Sequence, residues 1–83
     1  MKHNFYFEDS YGRLKLLATV ESMKEANSAM REFLDAHNYK SHYTRMWLQE
    51  GEAYWYVVFD VGSHSEFFRL EFNSEEEATK FLC

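Results

Sequence analysis

The stretch HYTRMWLQEGEAYWYVVFDVGSHSEFFRLEF, residues 42–72, decides the fold. It holds three runs rich in aromatic and β-branched residues (42–48, 53–61 and 64–72) with turn-forming residues between them. Glu50-Gly51 suits a tight two-residue connection, and Gly62-Ser63 a second one with glycine first. Three antiparallel strands are expected. With two residues in each connection the pairing is fixed, because side chains alternate faces with a period of two. Met46 then faces Trp55, which faces Leu70; Thr44 faces Val57, which faces Phe68; and Leu48 faces Ala53, which faces Phe72. That side is almost wholly apolar and has to carry the helices.

The other side of the same strands is the unusual one. In this register Trp47 lies opposite Tyr54, Arg45 opposite Tyr56 and Tyr43 opposite Val58, while Tyr56 meets Arg69 and Val58 meets Phe67. Opposed side chains on a sheet sit about 5 Å apart. Tyr43, Arg45, Trp47, Tyr54, Tyr56, Phe67 and Arg69 therefore form one patch around Val58. The open face of an antiparallel sheet is usually polar; this one is aromatic with two arginines, the composition of interface hot spots. Three readings follow. The patch docks a partner protein, or a second copy of the chain face to face through Trp47 and Tyr56. It stacks a nucleobase or nucleotide on Trp47, Tyr54 and Tyr56, with Arg45 or Arg69 taking a phosphate. Or it is structural, covered in part by the chain's own first hairpin or a tail, or made of aromatic cross-strand pairs that merely stabilise the sheet.

Upstream, NFYFE (4–8) alternates, DSYG (9–12) reads as a turn, and RLKLLATV (13–20) sets Leu14, Leu16 and Ala18 on one face, so a first hairpin is expected. Next comes a helix. Ser22 and Glu25 have capping-box spacing, and Ala26, Ala29, Met30, Phe33, Leu34 and His37 make an apolar stripe ending near Asn38. Downstream, Ser74 and Glu77 repeat the cap, and Ala78, Phe81 and Leu82 supply the apolar side of a second helix. The expectation is an α+β fold: an antiparallel sheet of about five strands in the order ββαβββα, with both helices packed on one face.

Eighty-three residues make a single domain. A 19% aromatic content gives so small a core large side chains to bury, so it can stand without staples. The single cysteine, Cys83, excludes an internal disulfide and fits a reducing cytoplasm. No apolar run is long enough for a membrane span, and the opening MKHNFYFEDS lacks a signal-peptide pattern, so a soluble cytoplasmic protein is expected. A formal net charge of −5 argues against binding along a nucleic-acid backbone, which needs a basic surface.

His64 and Glu66 stand two apart on the helix side of the third strand, and His42, opposite Phe59, is one strand away. A His–Glu pair is able to share a proton, and three such groups suit zinc. Catalysis also needs a nucleophile or a bound metal. Ser63 and Ser65 fall on a turn and the opposite face, no histidines have close metal-motif spacing, and no phosphate-binding glycine loop is present. His42, His64 and Glu66 therefore read as a polar cluster closing the core, with neither enzyme activity, metal nor cofactor expected. Phe5–Phe7, Gly62–Phe68 and Glu76–Leu82 resemble segments of small cytoplasmic proteins of Gram-positive bacteria and their phages. That resemblance implies an accessory or inhibitor protein of a mobile element, and it assigns no residue a role.

Overall fold

A computed structural model describes residues 2–38, 45–62 and 65–82 of the chain. Its elements run β1 (His3–Glu8), β2 (Leu14–Val20), α1 (Met23–Ala36), β3 (Arg45–Glu50), β4 (Trp55–Asp60), β5 (Phe67–Phe72) and α2 (Glu75–Leu82). The five strands form one antiparallel sheet in the order β2-β1-β5-β4-β3. The α+β, ββαβββα architecture is as the sequence predicts. The first hairpin does not fold over the sheet; β1 pairs with β5 and extends it sideways.

Both helices lie on one face. Ala26 and Met30 of α1 and Ala78 of α2 share a buried cluster with Phe5, Val57, Phe59, Phe68, Leu70 and Phe72. Phe33 of α1 sits on Phe7, with ring centroids 4.4 Å apart, and Phe81 of α2 meets Phe72 edge-on at 5.1 Å. Each helix starts at the expected serine: Ser22 and Ser74 each accept, through Oγ, the N–H of the residue three on, at 3.2 Å. The reciprocal carboxylates reach one residue further back than in the usual box. Glu25 accepts from the N–H of Glu21 at 2.7 Å, and Glu77 from that of Asn73 at 3.2 Å.

Three expectations are corrected. The β3–β4 turn is Glu52-Ala53, not Glu50-Gly51, and Gly51 N–H donates to the Tyr54 carbonyl across it at 2.8 Å. Gly51 does not take the left-handed conformation of a tight-turn glycine; among the described glycines only Gly12 and Gly62 have positive φ. Its role is space: a Cβ there would lie 2.8 Å from both the Tyr54 carbonyl oxygen and Tyr56 Cε2. The turn therefore moves two residues and the pairing four, so that Met46 faces Phe59, Leu48 faces Val57 and Glu50 faces Trp55. The β4–β5 pairing moves by two, with Trp55 opposite Phe72 and Val57 opposite Leu70. Both displacements are even, so every residue keeps its expected face.

The second correction is in β2. A bulge opposite Phe5 and Tyr6 inserts one residue, so Ala18 faces Phe5 on the helix side while Leu16 faces Tyr6 and Leu14 faces Glu8 on the other. The expected shared face of Leu14, Leu16 and Ala18 is therefore split, and Leu14 and Leu16 are exposed on the open face, Leu16 by 54%. The third concerns Met46, which keeps its helix-side position but lies on an edge strand and is 52% exposed.

Candidate interaction surface

The open face is built in cross-strand rows. The central one runs Leu16, Tyr6, Arg69, Val58, Trp47 across β2, β1, β5, β4 and β3. Beside it Glu71 faces Tyr56, which faces Gln49. On the other side Leu14 faces Glu8, which faces Phe67, and Asp60 faces Arg45. Five of the seven residues expected in the patch (Arg45, Trp47, Tyr56, Phe67 and Arg69) are thus brought onto one face. Tyr54 lies beyond the strand end in the turn, 39% exposed, and is not opposite Trp47. Tyr43, His42 and His64 lie outside the described residues.

Among the described residues the rows lock together without a covering layer. Val58, on the face away from the helices, is only 1% exposed because its larger neighbours close over it. Trp47 meets Phe67 edge-on with centroids 6.2 Å apart, the guanidinium of Arg45 lies 5.8 Å from the Trp47 ring, and that of Arg69 lies 5.2 Å from the Tyr56 ring. Trp47 Nε1 donates to Gln49 Oε1 at 3.3 Å. A depression of about 270 Å³ runs over Val58 between Trp47, Phe67 and Arg69 and the Glu8–Asp9 corner.

Both arginines are held by carboxylates of the same face. Arg69 Nε donates to Glu8 Oε1 at 2.8 Å, with the two side chains only 17% and 18% exposed. Arg45 donates to Asp60 Oδ2 at 2.8 Å, and the other oxygen of that buried carboxylate accepts the Gly62 N–H at 2.8 Å. Glu71 sits between two phenols and accepts from Asn4 Nδ2 at 3.2 Å. Partial burial, and next the Glu71 carboxylate, push the Tyr6 and Tyr56 hydroxyls above their ordinary pKa, so both stay neutral donors.

Sequence reasoning missed the β1 and β2 members of this surface, Tyr6, Glu8, Leu14 and Leu16, and the polar Gln49, Asp60 and Glu71. The alternation of NFYFE already set Tyr6 and Glu8 against the buried face of Phe5 and Phe7, so their side was legible. What was absent was any signal that β1 would lie against β5. For Leu14 and Leu16 the bulge carries no sequence mark.

The expected polar cluster is placed only in part. Glu66 is half-buried on the helix side, where it lines a groove of about 250 Å³ with Phe7, Lys15, Phe33 and His37. His37 stacks on Phe33 at 4.2 Å. Met46, rather than His42, faces Phe59, which removes the register argument that set His42 beside Glu66. Among the described residues no group of three or more His, Cys, Asp or Glu is placed to hold a metal ion, and no helix is long and apolar enough to cross a membrane. Comparison of the chain with protein-family models, with characterised proteins and with solved structures found no match.

Proposed function

We propose that this protein is a non-enzymatic interaction module that docks a partner protein against the open face of its sheet. One observation carries the reading: large apolar side chains stand exposed at both margins of that face, flanking a half-buried aromatic middle. Leu14 and Leu16 mark one side and Trp47 the other, with Tyr6, Tyr56, Phe67 and the buried Val58 between. A monomer that gained nothing from such a face would carry Thr, Lys and Glu there. The ion pairs inside it suit a protein partner, because Arg69 and Glu8 already satisfy each other and add no unpaired charge to a dry interface. An accessory or inhibitor role for a mobile element, and a cytoplasmic setting, fit this reading.

The second reading, a nucleotide stacked on the aromatic rings, has less behind it. Arg69 is committed to Glu8 and Arg45 to Asp60, so a phosphate would have to displace a carboxylate in either case. The test is affinity purification of the wild type beside Leu16→Asp and Trp47→Ala, with native mass spectrometry of what is retained. A stoichiometric protein that is lost from both variants while each remains folded supports docking. A retained nucleotide, or a protein that stays bound to both variants, sinks it.

A further inference from the structure

Among the described residues the sheet has two unpaired edges, and they are not alike. The β2 edge carries a bulge and Lys15, the devices by which proteins keep a strand from pairing with a stranger. β3, RMWLQE, has no proline, no lysine and no glycine, and its register on β4 is unbroken. Its side chains are open on both faces: Met46 is 52% exposed on the helix side and Trp47 37% on the other. A partner lying flat on either face covers only one of these. A strand added to the edge covers both.

The hydrogen-bonding phase of that edge can be read from its turn. Gly51 N–H donates to the Tyr54 carbonyl directly opposite, so this is a hydrogen-bonded pair. Bonded and non-bonded pairs alternate along an antiparallel ladder. Gln49 with Tyr56 and Trp47 with Val58 are therefore also bonded pairs. The backbone groups of Met46, Leu48 and Glu50 point the other way, off the edge.

We infer that this edge pairs with the same edge of a second copy of the chain, antiparallel, about a two-fold axis at Leu48. The strand is complementary to itself in that arrangement. Leu48 meets its own copy, and Met46 meets Glu50 of the second copy, so each outward N–H finds an outward C=O. Trp47 lies opposite Gln49 of the second copy, keeping within reach the kind of indole-to-amide bond it makes now. Arg45, held in its ion pair with Asp60, comes opposite Gly51 of the second copy at each end. Two sheets become one, and both open faces remain available. The inference is independent of what docks on the open face.

The test uses the full-length protein. Sedimentation over a wide concentration range should show a monomer–dimer equilibrium. Amide exchange should alternate: the N–H groups of Met46, Leu48 and Glu50 gain protection as the protein is concentrated, while those of Trp47 and Gln49 are protected throughout. Met46→Glu puts like charges opposite Glu50 twice by symmetry and should weaken the dimer by roughly tenfold. Met46→Lys, at the same exposed position, should preserve or strengthen it. Synthetic protein with N-methyl Leu48 removes only an outward N–H and should be monomeric with its fold intact. A monomer at every concentration overturns the inference. So does a dimer indifferent to Met46→Glu and to N-methylation, which would assign self-association to the open face instead.

Discussion

Gly51→Ala tests the feature that sets the register. The added Cβ would lie 2.8 Å from the Tyr54 carbonyl oxygen and 2.8 Å from Tyr56 Cε2, with Tyr56 Cδ2 at 3.3 Å. Ordinary carbon contacts are about 3.5–4.0 Å, so something has to retreat by more than half an ångström, to judge from that contact range. The backbone resists, because Gly51 N–H is bonded to that same carbonyl at 2.8 Å. The Tyr56 ring resists less but gives up its place against Arg69, 5.2 Å from its centroid. Overpacking of this kind costs about 1–3 kcal/mol. Replacing glycine where φ is unexceptional recovers about 0.4–1 kcal/mol from the unfolded chain. The net expectation is a loss of about 1.3 kcal/mol in equilibrium urea unfolding, from the midpoints of those two ranges. Tyr56→Ala should remove the ring's share, giving a coupling of roughly 0.5–1.5 kcal/mol in the double-mutant cycle. Gly12 is the control, because its φ is 80° with nothing within 4 Å of a Cβ. There Asn should be tolerated better than Ala, since Asn visits the left-handed region more readily. A neutral or stabilising Gly51→Ala with no coupling to Tyr56 would refute the account of this turn.

Trp55→Ala, which opens the helix-side core, should cost close to 3 kcal/mol in thermal or urea unfolding, the low end for a tryptophan that is only partly buried. Trp47→Ala should cost about 0.5–1.5 kcal/mol, the worth of its ring contacts, and equal losses would mean the two faces are packed alike. In a spectrophotometric titration Tyr6 and Tyr56 should ionise above the ordinary value of 10.0, because burial and then Glu71 raise them. Neutral phenols being the favoured form, their stabilisation is complete below that ordinary value and is lost as pH climbs through the raised one. Glu71→Gln should bring both back toward the other tyrosines, and a single unshifted wave for all of them would contradict the face's electrostatics. Ser22→Ala and Ser74→Ala should each cost about 1 kcal/mol and add in the double variant, since the two caps belong to separate helices.

The sequence by itself determined which side of the sheet each residue of β3, β4 and β5 takes. Alternation has a period of two, and sliding β3 by four or β5 by two leaves Val57, Phe59, Phe68 and Leu70 inside and Trp47, Tyr56, Phe67 and Arg69 outside. It determined both helices as well, because a serine cap and an apolar stripe are local devices that need no distant partner. It did not determine who faces whom. The register depends on whether Gly51 is there for its φ or for the room it leaves Tyr56, and that ring arrives only when the sheet has formed. The bulge that turns Leu14 and Leu16 outward is likewise a compromise between β2 and β1, invisible in the alternation of either strand. The place of β1 beside β5, which gives Arg69 its carboxylate from Glu8 across 61 positions of chain, was decided by tertiary structure alone. Burying Phe5 and Phe7 under the helices leaves the edge of β5 as the strand that completes their hydrogen bonds.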